Sequence, residues 1–471
     1  MLWILDPGYH GMIYILLLLL FKAICGLIMI RIDMSMQVYV ALIITLSLAL
    51  ILGLTSNSHS LLNIAYAAVA AGGTPAVKDP SLKIELVAQG LASPTSMAFL
   101  DNNNILVLQK EGTVQLISNG KLQVQPVLQV QVDSKNERGL LGIATMKEKA
   151  NTIANSSTTP SPSNSDVFLY YSESQGGKLV GNKVYKYLWD GHALVNPTLI
   201  LDLPAKPGTN HQGGKLTLGP DNYLYAVIGE LQRNGQLQNI NVGPPPDDSG
   251  VIFRVNPADG SPAPNNPFSV QNKTADASSS TDNKLSRYYA YGIRNSFGLA
   301  FDPVTSKLWD TENGENSYDE INVVNSGFNS GWKKVMGPIS KSGITEDQLV
   351  HFQGSKYADP VFSWLDSIGV TDIEFLKSSK LGANYENNIF VGDITKGNLY
   401  YFKVNENRTA LKFDDKQPGL SDLVADNNQE VSAIALGTGF GGITDLETGP
   451  DGYLYILSYG NGSVYRIIPS S

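Results

Sequence analysis

Residues 219–227 read GPDNYLYAV, and residues 449–457 read GPDGYLYIL. Each opens on Gly, Pro, Asp and Asn or Gly. These residue types accept a left-handed backbone or hydrogen-bond their own chain, so they make tight turns. Alternating large apolar side chains follow, which is the pattern of a β-strand packed on one face. FLDNNNILV at 99–107 and FDPVTSKLW at 301–309 carry the same plan, an Asp/Asn turn and then an apolar run. A unit that recurs at uneven spacing marks a repeat architecture with insertions, and short turn-bounded strands identify the repeats as blades of a β-propeller. Further β-rich runs at 112–117, 166–171 and 182–188 agree, and the run at 463–468 completes a last blade. No long segment has helical period.

Composition fits an all-β chain. Glycine is abundant, with 45 residues in 471, and only 16% of residues are charged, which suits many turns better than a helical bundle. The net charge of −9 argues against a nucleic-acid partner, which needs a basic surface. The single cysteine, Cys25, excludes an internal disulfide or a cysteine zinc site, so compartment has to be read from targeting signals.

Those signals lie at the N-terminus. Residues 12–30 (MIYILLLLLFKAICGLIMI) are apolar apart from Lys22, and residues 36–54 (MQVYVALIITLSLALILGL) are uncharged. Each is about as long as a membrane-spanning helix of ~20 residues. Two arrangements stay open: a start at Met34 or Met36, with the second segment a signal peptide or single anchor, or a pair of spanning segments. We expect a hydrophobic N-terminal region at 1–64, a small-residue linker at 65–81 and the propeller at 82–471. The propeller is then anchored at a cell membrane or secreted, on the extracytoplasmic side. Ser/Thr/Pro-rich residues 155–166 and Ser/Ala/Asp-rich residues 274–281 read as exposed insertions.

Longer motifs surround the repeats. Residues 210–219 read NHQGGKLTLG and 137–144 read ERGLLGIA. Residues 291–302 read YGIRNSFGLAFD, followed by LWDTENGENSYDEIN and SGFNSGW. In this order they resemble the soluble glucose, aldose-sugar and sorbosone dehydrogenases that depend on pyrroloquinoline quinone (PQQ). The resemblance runs over nearly all of residues 85–469. It implies a six-bladed propeller with PQQ and a calcium ion (Ca2+) at its hub, a sugar substrate and an external electron acceptor.

Oxidising a sugar hydroxyl needs a base for the proton and a cofactor for the hydride, because no side chain accepts hydride. Histidine titrates nearest neutral pH. Of five histidines only His211 stands in a glycine-flanked turn leading into a repeat strand, and the resemblance makes it the base. It places Arg294 and Asn295 at PQQ, with Arg294 stabilising charge on the quinone oxygens. It puts Lys396 at the PQQ carboxylates, and Glu137 and Asn210 at the substrate. It assigns calcium to the carbonyls of Gly314 and Glu315 and to the carboxylates of Asp319 and Glu320.

The sequence departs from the family in three places. Ser296 replaces a proline, and Glu315 replaces the proline of a Gly-Pro step. Residues 442–445 read GITD where the family has Arg-x-Arg-Asp, so two PQQ-binding arginines are gone. Two readings follow: an exported quinoprotein sugar dehydrogenase, or a non-catalytic ligand- or protein-binding propeller that has lost PQQ.

Overall fold

The computed structural model describes residues 73–147, 165–269, 284–414 and 417–470. The two N-terminal apolar segments, Cys25 and nearly all of both low-complexity insertions lie outside these residues. Among the described residues no helix is long and apolar enough to cross a membrane.

The described strands form six sheets, and each sheet is one blade. Blade 1 runs from Pro94–Phe99 through Asn104–Gln109 and Thr113–Ser118 to Lys121–Leu122. Blade 2 comprises Leu140–Lys147, Ser165–Gln175, Lys178–Trp189 and Leu194–Leu203. Blade 3 comprises Leu216–Leu218, Leu224–Ile228, Val251–Val255 and Tyr288–Tyr291, extended outward by two short parallel strands. Blade 4 comprises Gly298–Phe301, Leu308–Glu312, Ser317–Val324 and Phe362–Asp366. Blade 5 comprises Val370–Phe375, Ile389–Asp393, Leu399–Val404 and Ala435–Thr438. Blade 6 takes Ile443–Thr448, Leu454–Ser458 and Ser463–Pro469 from the C-terminal end, and Leu82–Gln89 from the other. Each first strand packs against the first strands of the blades on either side, so the ring closes.

The described part of the expected linker is not free of the propeller. Ala76–Val77 pairs antiparallel with the outer strand of blade 5, so pairing begins before residue 82.

The four repeats are the hairpins joining first and second strands in blades 1, 3, 4 and 6. In each, an aspartate accepts a backbone N–H two residues on: Asp101 from Asn103, Asp221 from Tyr223, Asp302 from Val304 and Asp451 from Tyr453, at 2.8–3.2 Å. Blades 2 and 5 have long connections there instead, at 148–164 and 376–388, which is why the spacing is uneven. The second strands are sandwiched between neighbouring blades; every residue of Leu224–Ile228 and Leu454–Ser458 is buried. A strand covered on both faces reads as an apolar run. Between blades 4 and 5, Trp309 meets Phe375 edge-on, with centroids 5.8 Å apart. Burying each such ring contributes about 1.5–3 kcal/mol.

At the hub, the Lys215 ammonium donates to Asp372 at 2.8 Å and to Asp445 at 2.5 Å. Asp445 also accepts from the Ser96 hydroxyl and the Met97 N–H. This buried pin ties blades 1, 3, 5 and 6 across the axis.

Strand direction sorts the loops by face. The four repeat hairpins share one face. The loops leading into first strands, and the turns between second and third strands, share the opposite face. That second face collects Glu137, Asn210, His211, Arg294, Asn295, Gly314, Glu315 and Lys396.

Candidate active site around His211

His211 lies in the loop leading from blade 2 into blade 3. Its φ of 59° is left-handed, which is uncommon outside glycine. Its neighbours explain the glycines of NHQGG. A Cβ on Gly213 would lie 2.9 Å from Gly229 N and Val227 O, and a Cβ on Gly229 would overlap the His211 carbonyl. The loop can lie against the end of the blade 3 second strand only because both positions lack side chains.

That approach places the ring. His211 Nδ1 is hydrogen-bonded to Glu230 Oε1, from the residue just after Gly229. His211 Nε2 lies 3.0 Å from Arg294 Nη2. A guanidinium nitrogen can only donate, so Nε2 accepts and carries the lone pair. The ring proton then sits on Nδ1 and is donated to Glu230. The ring is a neutral imidazole, oriented by a carboxylate on one side and capped by a cation on the other.

Arg294 comes from the loop leading into blade 4. Its backbone N–H donates to Glu312 Oε1 at 2.6 Å, and Nη1 donates to the Asn313 carbonyl at 2.9 Å. The guanidinium carbon sits 5.1 Å from the centroid of the Trp332 ring. Burial holds the Arg294 pKa below its ordinary value, opposed by Glu230, Glu312, Glu315 and Glu137. Burial also pushes Glu312 up to about 7, against hydrogen bonds from Ser330 and Arg294.

Glu137, expected at the substrate, is half-buried on this face. Its Oε2 accepts from His211 N at 2.6 Å, Asn295 Nδ2 at 3.0 Å and Gln212 N at 3.4 Å. Asn295 Oδ1 accepts from Gly213 N. Glu137 and Asn295 therefore brace the loops of blades 2, 3 and 4 against one another. Asn210 is half-buried beside His211, and its carbonyl accepts from Gln212. Lys396 is exposed in the blade 5 turn, where its backbone N–H donates to Asp393.

The carboxylates expected to hold calcium are engaged by the chain itself. Asp319 accepts from the backbone N–H groups of Gly314, Ile368, Gly369 and Val370. Glu320 accepts from Gly337 N and from Asn322. Among the described residues no three His, Cys, Asp or Glu side chains converge as metal ligands. The donor set does not fit Ca2+ through Asp319 and Glu320. They knit the Gly314 turn to blade 5 and blade 4 to the 330s loop.

Sequence reasoning missed Glu230 and the stacking role of Trp332. Glu230 had a local signal: it ends the repeat strand that begins at GPDNYLY, on the face that holds His211.

A closed six-blade ring with an oriented histidine and a buried arginine at one mouth defines the class. The profile of the Glucose / Sorbosone dehydrogenase family matches residues 91–466. The chain belongs to that family. It is 26% identical over 395 residues to aldose sugar dehydrogenase YliI of Escherichia coli, covering 83% of this chain and 93% of that one. It is 29% identical over 288 residues to quinoprotein glucose dehydrogenase B of Acinetobacter calcoaceticus, covering 56% of this chain and 55% of that one. Among solved structures, the PQQ-bound aldose sugar dehydrogenase of Streptomyces coelicolor matches with a TM-score of 0.56 and 22% identity, covering 84% of this chain and 99% of that one.

Proposed function

We propose that the protein is a PQQ-dependent sugar dehydrogenase that oxidises the C1 hydroxyl of an aldose, with His211 as general base. The observation that carries this is the Glu230–His211–Arg294 array, supported by the activities that name these relatives. The substrate hydroxyl displaces Arg294 from Nε2 and hydrogen-bonds there, and the proton passes to Nε2. Glu230 stabilises the resulting imidazolium, while the freed guanidinium stays beside the reacting centre.

PQQ fits the Arg294 side of this face. Arg294 Nε and Trp332 Nε1 are buried donors without a hydrogen-bond partner among the described residues, so both are available to an acceptor ligand. Arg294 and Lys396 would hold the cofactor. When bound, PQQ supplies the hydride acceptor that side chains lack. An external electron acceptor would be the second partner. We place the propeller on the extracytoplasmic side, anchored or released by the apolar segments at 12–30 and 36–54. Export is tested by protease sensitivity of the propeller in intact cells.

A second reading, a non-catalytic propeller, is favoured by the blade 6 loop. Gly442 has a φ of 85°, and a Cβ there would meet the Ile394 carbonyl oxygen at 2.8 Å. Thr444 Oγ1 donates to Pro94 O at 2.9 Å. Neither position presents a cation. The experiment is reconstitution of the full chain with PQQ and Ca2+, then dye reduction with a panel of aldoses. Turnover that disappears in His211→Ala supports the enzyme. The absence of bound quinone absorbance and of dye reduction supports the binder.

A further inference from the structure

Blades 3 and 6 are built alike in their outer halves. Tyr225 lies opposite Arg254, and Tyr455 lies opposite Arg466. In blade 3 the Tyr225 hydroxyl and Arg254 Nε both donate to Asp221, at 3.0 and 2.8 Å. In blade 6 the Tyr455 hydroxyl and Arg466 Nη1 both donate to Asp451, at 2.9 and 2.7 Å. Each tyrosine also meets, edge-on, the last phenylalanine of the next blade's first strand. Tyr225 is 5.0 Å from Phe301, and Tyr455 is 4.9 Å from Phe99. The two joints lie three blades apart on the face opposite His211.

The fourth strand separates them. In blade 3, Phe253 pairs with Tyr288 and Ile252 with Ala290, so Tyr289 is an extra bulged residue. In blade 6, Tyr465 pairs with Leu86 and Val464 with Ala88, so Val87 is the bulged residue. A bulge re-aims its side chain. Tyr289 turns toward the joint, its ring 5.2 Å from that of Tyr225. In blade 6 the valine is short, and Glu85 reaches Arg466 Nε at 2.7 Å. The blade 3 joint keeps a cleft of about 310 Å³ between blades 3 and 4.

We propose that this cleft binds one ring of a neutral saccharide, at a site separate from the His211 face. Its wall is aromatic, lined by the partly exposed rings of Tyr289 and Phe301 packed on the buried Tyr225, and exposed aromatic surface suits the C–H side of a pyranose. Its charges, Asp221 and Arg254, neutralise each other, so an ionic ligand would be left uncompensated. Its rim carries the exposed side chains of Asn265, Ser306 and Ser326, none with a hydrogen-bond partner among the described residues. Hydroxyl-rich ligands satisfy such groups, and a cleft of this size suits a single sugar ring. The site does not depend on the proposed dehydrogenase activity, and the two fail separately.

The test is saturation-transfer NMR on the full-length protein with cellobiose as the probe. It is run on wild type, His211→Ala, Tyr289→Val and Ser326→Trp. Tyr289→Val copies the side chain that the equivalent bulge already carries in blade 6. Ser326→Trp closes the cleft from its exposed rim and covers the case in which the first variant folds poorly. Transfer to cellobiose persists in His211→Ala and drops about fivefold in Tyr289→Val, the loss expected for one aromatic contact. It also drops in Ser326→Trp, and glucuronate shows less transfer than cellobiose. The assignment is overturned by no transfer in wild type, by undiminished transfer in both cleft variants, by its disappearance in His211→Ala alone, or by stronger transfer to glucuronate.

Discussion

Arg294 Nη2 donates to His211 Nε2 across 3.0 Å, from a loop 83 residues away in the chain. The cation therefore sits on the nitrogen that a base has to expose. In the proposed reaction, proton abstraction and release of the guanidinium are one exchange: a hydroxyl that reaches Nε2 takes the place of Nη2. In that proposal Nδ1 keeps its proton and goes on donating it to Glu230.

This exchange orders the effects of substitution. His211→Ala lowers kcat in the dye-reduction assay by about 10³–10⁴, since the base is removed. Glu230→Gln keeps the shape but loses the charge that stabilises the imidazolium, and it costs about 10². Arg294→Ala frees Nε2 yet still lowers kcat by about 10²–10³, because the positive charge beside the reacting centre is lost. A faster Arg294→Ala enzyme would contradict the role given to the guanidinium.

Glu312 gives a pH dependence of stability. Its folded pKa of about 7 lies above the ordinary 4.5, so the folded chain holds a proton that the unfolded chain has released. The stability associated with that proton is present below about 4.5 and is lost as pH rises through about 7. Glu312→Gln removes its share of the slope. Chemical denaturation at pH 5 and pH 8 should show a fall between the two that is smaller in the variant by about 1–3 kcal/mol. Equal falls would show that Glu312 is ionised in both states.

Lys215 is the only cation contacting Asp372 and Asp445 among the described residues. Lys215→Met leaves two buried carboxylates facing one another, and urea unfolding should report a loss of about 3–5 kcal/mol. Adding Asp372→Asn and Asp445→Asn should recover part of that loss. No recovery would mean that Lys215 acts through packing of its stem.

Gly442 bears on the missing arginine. Gly442→Arg forces a side chain onto a left-handed backbone, with its Cβ 2.8 Å from the Ile394 carbonyl. It should cost about 1–3 kcal/mol in thermal unfolding and should not increase retention of PQQ after gel filtration. A stable variant that retains more quinone would show that the loop can open.

Much of this was legible in the sequence where chemistry is local. The Asp101, Asp221, Asp302 and Asp451 turns announce themselves within four residues, and each is a blade hairpin. His211 was marked by its glycines, and Arg294 and Asn295 by their motif. What was not legible lies between blades. Glu230 pairs with His211 from 19 residues away and Trp332 stacks on Arg294 from a third loop. Asp319 and Glu320 looked like open ligands because sequence does not show the backbone N–H groups that converge on them. Nothing in the sequence marks the Ala76–Val77 strand, because two residues carry no period.

Blade 6 has consequences for how the protein is made. Its outer strand, Leu82–Gln89, emerges among the first parts of the propeller, while its partner Ser463–Pro469 is synthesised nearly four hundred residues later. Until then the early strand is an unpaired edge, and blade 1 lacks one neighbour. Domains of such high contact order fold slowly and expose strand edges while they wait. Ser463–Pro469 must therefore clear the ribosome before the ring can shut, and deleting those seven strand residues should leave a nascent protein that chaperones retain.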